Sequence, residues 1–157
     1  LFGTLIDDLT YPESQMNEYR RVTSEMGSAL GVSVEGFLRV WAETGDSRMA
    51  GEYSDLGASL EAICRELGES PDARQITAAT RLRIEYIRSA MVPRPDTIDT
   101  LTRLRESDYR IGLISDCGPG TATVWGDTSF APLIDEAISE SETAGSELVF
   151  RSGPEGL

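Results

Sequence analysis

The segment RIGLISDCGPG, residues 110–120, carries the clearest fold signal in the sequence. Residues 110–115 form a short apolar run with two isoleucines, which is typical of a buried strand in a parallel sheet. Residues 116–120 combine aspartate, glycine and proline, which indicates a loop. Apolar residues at helical spacing predict a helix before the strand, at about residues 96–107, and a further helix is predicted at residues 121–125.

This order of elements, together with a second strand predicted at residues 135–139, is typical of a Rossmann-like α/β sheet. Ligands bind beyond the carboxyl ends of the strands in such sheets. Ser115 is predicted at the carboxyl end of its strand, which makes it a candidate functional residue. The alternative is that Ser115 is only a turn or cap residue.

Residues 11–92 show helical periodicity with almost no strand signal. Apolar residues spaced by three or four positions predict a first helix that ends at Gly31. Serines are the predicted N-caps of the later helices, because a serine hydroxyl accepts a hydrogen bond from the first turn. These predicted caps are Ser33, Ser54 and Ser70.

The charge balance excludes several classes of function. The chain of 157 residues has 27 acidic and 14 basic residues, a net charge of −13, and every basic residue is arginine. This acidity opposes binding to nucleic acid and to anionic membranes. Without histidine or lysine, Ser-His-Asp catalysis and Schiff-base chemistry are excluded. Carboxylates acting with a hard cation such as Mg²⁺ fit the remaining side chains best.

The two cysteines, Cys64 and Cys117, have no nearby cysteine partner, which argues against a zinc site or a disulfide framework. Reduced thiols in a cytoplasmic protein are the simplest interpretation. The apolar runs are too short for a transmembrane helix, and no signal segment is apparent at the start.

The segment LFGTLIDD, residues 1–8, resembles the first motif of the haloacid dehalogenase-like (HAD) hydrolase superfamily. Residues 95–117, a proline-led helix and an apolar strand ending in serine, resemble the second block of that family. Residues 130–135, FAPLID, resemble the segment that leads into its next strand. The resemblance implies an α/β fold, with a partial Rossmann-like three-layer core at residues 1–10 and 93–157. An α-helical cap is implied at residues 11–92.

The resemblance also implies a function, the hydrolysis of a phosphate ester in a small anionic organic substrate. The implied nucleophile is an aspartate whose position lies immediately before Leu1. Ser115 and Thr4 match catalytic positions, and Gly3 and Asp116 join Ser115 in substrate binding. Mg²⁺ is the implied cofactor, with the backbone carbonyl of Phe2 as a candidate ligand.

Other parts of the family's mechanism have no counterpart in the printed sequence. The nucleophile, the lysine and the late metal-binding carboxylates are missing, and Leu148 falls about where the lysine is expected. Arg151 is the nearest cation and the candidate substitute. We expect the printed chain to be part of a longer reading frame and to be inactive by itself.

Two alternatives to phosphate-ester hydrolysis stay open. Phe2 stands where many phosphatases of the family carry an acid-base aspartate, and 2-haloacid dehalogenases carry an aromatic residue there. Dehalogenation is therefore the alternative reaction. A non-catalytic protein, with the helical region as an interaction module, is the alternative of a different class.

Some side chains have both a structural and a functional interpretation. Asp7 and Asp8 are adjacent carboxylates, which point to opposite sides of an extended segment and do not share a cation well. We favour a bystander role for Cys117, since the chain has no histidine or lysine to activate it. Several aromatic residues could shape a substrate pocket, although we favour core packing for Phe37 and Trp41. These aromatic residues are Tyr11, Tyr19, Phe37, Trp41 and Tyr53.

Two arginine pairs, at residues 20–21 and at positions 81 and 83, could contact an anionic substrate. The favoured interpretation places them on solvated helix faces, where they pair with the abundant carboxylates.

Overall fold

The computed structural model describes residues 1, 3–6, 13–115, 117–139 and 148–150. The described residues form a mixed helix-and-strand protein in which helices predominate. The helices are α1 (Glu13–Leu30), α2 (Val34–Glu43), α3 (Gly45–Met49), α4 (Leu56–Glu66), α5 (Ala73–Ala90), α6 (Thr97–Glu106) and α7 (Pro119–Val124). The strands are β1 (Gly112–Ser115), β2 (Glu136–Ser139) and β3 (Leu148–Phe150). None of the described helices is long and apolar enough to cross a membrane.

The first two helix boundaries confirm the sequence prediction. α1 ends at Leu30, and Gly31 follows with a φ of +75°, a conformation that costs glycine little because it has no Cβ. Ser33 then caps α2, and its hydroxyl accepts a hydrogen bond from the Gly36 amide. The short α3, which the sequence analysis did not predict, follows α2 directly after Thr44.

The predicted N-caps at Ser54 and Ser70 are wrong. α4 is capped by Asp55, whose carboxylate accepts from the Ala58 amide at 2.8 Å. α5 is capped by Asp72, which accepts from the amides of Arg74 and Gln75. In both cases an aspartate one or two positions later has the capping geometry, and its carboxylate also interacts favourably with the helix dipole.

The start of α5 is joined to the end of α1 by one side chain. Gln75 accepts from the Asp72 amide through Oε1, which completes a capping box with the Asp72 carboxylate. The same Gln75 donates from Nε2 to the Leu30 carbonyl at 3.0 Å. The cap therefore stabilises α5 and also satisfies a carbonyl at the end of α1 that α1 itself cannot pair.

Asp72→Ala is expected to lower the free energy of unfolding by about 1 kcal/mol, because it removes both hydrogen bonds of the cap. Ser70→Ala is the matched control, since Ser70 is exposed and does not cap the helix. Its effect is expected to be within experimental error. Urea denaturation monitored by circular dichroism measures both variants. A larger decrease in the free energy of unfolding for Ser70→Ala than for Asp72→Ala would contradict the assignment of Asp72 as the N-cap.

The strands form one small sheet in the order β1-β2-β3. β1 pairs with β2 in parallel, with Gly112 opposite Glu136 and Leu113 opposite Ala137, and β3 adds to β2 in antiparallel orientation. The prediction of a parallel pair is confirmed. The prediction that β1 is a buried strand is wrong for one of its faces, because Ile114 is 74% exposed and Gly112 is exposed as well. Among the described elements, no helix covers that face of the strand.

The described residues at the start of the chain lie against the segment that leads into α6. Ile6 forms an isolated antiparallel bridge with Pro93. The Leu5 carbonyl accepts hydrogen bonds from the Arg94 amide and from the Thr97 hydroxyl. These contacts connect the first residues to the start of α6, more than 80 positions later in the sequence.

Two hydrophobic clusters organise the described residues. One cluster lies among the helices α1, α2, α4 and α5, around Phe37. The other joins Ile6, the end of α5, α6, the segment around Phe130 and the strands. α5 contributes Ala79 to the first cluster and Ile87 to the second, so it connects them. The predicted division into residues 11–92 and the rest of the chain stays a prediction.

Candidate functional site

A small cleft opens at the carboxyl end of β1. Its empty space, including the open mouth, is about 250 Å³. That is below the roughly 300–1,000 Å³ typical of pockets for drug-sized ligands, so only a small group fits it as it stands. The described residues that line it are Leu1, Leu113, Ser115, Cys117, Thr121, Ala122, Trp125, Ala137 and Ile138.

Ser115 is the last residue of β1 and lies at the edge of this cleft, as the strand prediction placed it. It is 9% exposed. Because side chains alternate along a strand, Ser115 lies on the same side of β1 as Leu113, and both line the cleft. Thr121, on α7, also lines the cleft.

Leu1 lines the same cleft as Ser115 although the two residues are far apart in the sequence. A tight turn holds Leu1, whose carbonyl accepts from the Leu5 amide at 2.9 Å. Gly3 lies in this turn with a φ of +74° and donates from its amide to the Ile6 carbonyl. Thr4 is exposed, and neither Gly3 nor Thr4 is among the described residues that line the cleft.

Several candidate residues lie outside the described residues. These are Phe2, Asp116 and Arg151, together with Asp7, Asp8 and Tyr11. The roles that the family resemblance implies for them stay predictions.

The described residues do not fit a Mg²⁺ site. No group of three or more carboxylate, thiol or imidazole side chains among them lies close enough to hold a metal ion. The described wall of the cleft is almost entirely apolar and includes no carboxylate residue, whereas Mg²⁺ is held in proteins mainly by carboxylates and phosphates.

The two cysteines lie in different surroundings, and neither forms a disulfide. Cys64 lies in the first hydrophobic cluster, where burial raises the pKa of its thiol and makes the reactive thiolate scarcer. Cys117 lines the cleft beside Ser115. Trp125 also lines the cleft, packs edge-on against Phe130, and has an indole N–H without an acceptor among the described residues.

A second group of residues, which the sequence analysis named only in part and did not bring together, surrounds Trp41. The Arg48 guanidinium lies over the Trp41 ring at 3.7 Å from its centroid. The Arg83 guanidinium lies 5.6 Å from the same ring, 5.1 Å from that of Tyr19 and 5.2 Å from that of Tyr86. We call Arg48, Arg83, Tyr19, Trp41 and Tyr86 the arginine–aromatic cluster.

The arginine–aromatic cluster corrects one sequence interpretation and confirms another. Arg83 was assigned to a solvated face but lies half-buried among three aromatic rings. Its neighbour Arg81 is exposed and pairs with Glu85, as expected. Phe37 and Trp41 are buried and stack on each other, which confirms their assignment to the core.

The arginine–aromatic cluster belongs to the part of the helical region that contacts the loop after β1. Met49, next to Arg48 in α3, lies close to Gly118, since a Cβ on Gly118 would be 3.5 Å from its sulfur. Ile87 packs closely against Gly120 of α7. Ile87 is one helical turn from Arg83, so both project from the same face of α5. These contacts connect α3 and α5, which carry Arg48 and Arg83, to the loop and helix that follow β1.

No protein-family model, no curated protein and no solved structure matches this chain.

Proposed function

We propose that this chain is the substrate-binding part of a HAD-like hydrolase, with a partial Rossmann-like core and a helical cap. The reaction proposed is hydrolysis of a phosphate ester in a small anionic molecule. The nucleophile is an aspartate at the position immediately before Leu1. Mg²⁺ stays the cofactor that the family resemblance implies.

One observation carries this proposal: Leu1 and Ser115 line the same cleft. Leu1 opens the segment that resembles the first motif of the family, and Ser115 ends the strand that resembles the second. A carboxylate immediately before Leu1 would start next to the cleft that Ser115 also lines. That proximity is what an aspartyl nucleophile and a substrate-binding serine require.

Ser115 is the cleft residue to which we assign the binding of a small phosphoryl group. A serine hydroxyl can donate a hydrogen bond to a phosphoryl oxygen and can accept one as well. Ser115 is largely buried, and most of its described neighbours in the cleft are apolar. Hydrogen bonds and charge interactions are stronger in such a setting than in open water. The role assigned to Ser115 is therefore to hold an oxygen of the transferring group.

Dehalogenation of a 2-haloacid is the second candidate reaction. The apolar part of the cleft wall, which includes Leu1, Leu113 and Ile138, favours it, because a carbon–halogen centre is less polar than a phosphate. The same aspartate and the same Ser115 serve in this alternative. Release of chloride or of phosphate separates the two reactions.

The test begins with the natural protein, whose intact mass and terminal peptides show whether an aspartate precedes Leu1. The purified protein is then assayed for phosphate release from an aryl phosphate and for chloride release from 2-chloropropionate, with Mg²⁺ and with a chelator. Phosphate release is expected, and the chelator arm shows whether it depends on Mg²⁺. Chloride release without phosphate release would favour dehalogenation over phosphate-ester hydrolysis.

Ser115→Ala is expected to reduce kcat/KM by about 10²–10³-fold, the usual effect of removing a hydrogen-bond donor to the developing charge. Ser129→Ala, at an exposed serine, is the matched control and should retain full activity. Equal activity of the two variants would remove Ser115 from the site. A natural protein that begins at Leu1 and releases neither product would contradict the hydrolase and favour a binding protein.

A further inference from the structure

Trp125, which lines the Ser115 cleft, has a buried hydrogen-bond donor without a partner. The residue is 6% exposed, and its Nε1 has no acceptor among the described residues. Most buried polar groups in folded proteins are paired, because an unpaired group loses its hydrogen bonds to water and gains none in return. An unpaired donor on a residue that borders a cleft is therefore a candidate contact for a group bound there.

The other tryptophan of the chain gives a direct comparison. Trp41 is 4% exposed, and its Nε1 donates to the Tyr19 hydroxyl at 2.8 Å. Trp125 is buried to almost the same extent, so burial alone does not account for its unpaired N–H. What distinguishes Trp125 is its place beside the cleft, since Trp41 is not among the described residues that line it.

The backbone and the ring of Trp125 are both held by neighbours. Its carbonyl accepts hydrogen bonds from the amide and the hydroxyl of Thr128, at 3.1 and 2.9 Å. Its ring packs edge-on against Phe130, which is fully buried. Asp127, two residues later, forms an ion pair with Arg88 of α5 at 2.9 Å. A donor that is already fixed loses little conformational freedom when an acceptor binds to it.

We propose that Trp125 donates its indole N–H to an oxygen of the small oxyanion group that binds in the Ser115 cleft. Phosphoryl and carboxylate groups both offer such an oxygen, and a hydrogen bond to a charged oxygen is stronger than one between neutral groups. The cleft wall is almost entirely apolar, which strengthens the bond further. This inference rests on the proposed function, because it takes the cleft as the binding site, and it adds Trp125 to Ser115 as a second donor.

The indole gives the cleft a preference that a hydroxyl alone does not give. An indole nitrogen donates one hydrogen bond and accepts none, whereas a serine hydroxyl can do both. A bound group with an acceptor oxygen therefore satisfies Trp125, and a bound ammonium group leaves its N–H unpaired. Trp125 is in this way a residue that selects for an oxyanion.

The test uses the full chain labelled with ¹⁵N, which gives one indole N–H signal in the NMR spectrum for each of its two tryptophans. The spectrum of either Trp41→Phe or Trp125→Phe assigns both signals. Inorganic phosphate, acetate and methylammonium are titrated separately, with ionic strength kept constant by sodium chloride. A saturable downfield shift of the Trp125 indole proton is expected with phosphate or acetate but not with methylammonium. The Trp41 proton, which already bonds to Tyr19, should not move.

The backbone amides of Leu113 and Ala122, two residues that line the cleft, report binding independently of the indole. Saturable shifts of these amides without a shift of the Trp125 indole proton would overturn the role of Trp125 and leave the proposed function standing. The absence of any saturable shift, in the amides and in the indole, would count against both the Trp125 contact and oxyanion binding in this cleft.

Trp125→Phe is expected to weaken binding of the oxyanion probe by about threefold to tenfold, the usual loss for one hydrogen bond. Trp41→Phe is the matched control, because it removes the same N–H from an indole outside the described cleft wall, and it should bind as the unmodified chain does. The Leu113 and Ala122 amide shifts give the affinities. If Trp125→Phe fails to fold, as judged by circular dichroism, the indole shift in the unmodified chain decides. Unchanged affinity in a folded Trp125→Phe, or an equal loss in Trp41→Phe, would overturn the proposal.

Discussion

Phe37→Ala is expected to lower the free energy of unfolding by about 3–5 kcal/mol, the range measured when a large aromatic side chain is removed from a packed core. Phe37 is 0% exposed in the first hydrophobic cluster. Its ring stacks on Trp41 with 5.7 Å between centroids, and a Cβ on Gly27 of α1 would meet it at 3.2 Å. The packing around Phe37 is therefore too tight to close over the cavity left by alanine.

Denaturation in urea, followed by circular dichroism, measures this loss. Leu38→Ala is the matched control, because Leu38 is the next residue of α2 and is only half-buried. Leu38→Ala should lower the free energy of unfolding much less than Phe37→Ala does. Similar losses in the two variants would mean that the Phe37 side of α2 does not face the main core of the helices.

The helical region was the most predictable part of the chain. Apolar residues at a spacing of three or four predicted α1, α2, α4 and α5, because that periodicity directly reflects the buried face of a helix. Caps were less predictable, since Ser54 and Asp55 are both good capping residues and only the backbone geometry selects Asp55. α3 was missed because five residues, GDSRM, are too short to show periodicity.

The strands and the sites show where local patterns fail. The run at residues 112–115 predicted a strand and a parallel partner, but its burial depends on which elements cover it, and Ile114 is exposed. The place of Ser115 at the end of β1 was predictable, because the end of a parallel strand is a position defined by local sequence. The partial burial of Arg83 was not predicted, because its aromatic neighbours come from α1, α2 and its own helix. Only tertiary packing brings them together.

Phe130→Ala is expected to destabilise the second hydrophobic cluster by about 3–5 kcal/mol. Phe130 is 0% exposed and packs edge-on against Trp125, with 5.5 Å between ring centroids. It lies between the 3₁₀ turns Trp125–Asp127 and Ala131–Leu133, which connect α7 to β2. Replacing Phe130 by alanine removes its contact with Trp125, which also lines the Ser115 cleft.

The same variant tests whether the two clusters unfold together. α5 supplies Ala79 to one cluster and Ile87 to the other, so opening the second cluster should also weaken the first. When the chain is labelled with 5-fluorotryptophan, fluorine NMR gives one signal for Trp41 in the first cluster and one for Trp125 in the second. Phe130→Ala should lower the urea midpoint of unfolding by the same amount for both signals. Leu133→Ala, at a half-buried position of the second cluster, is the control and should shift both signals less. A lower midpoint for Trp125 with an unchanged midpoint for Trp41 would mean that α5 does not couple the clusters.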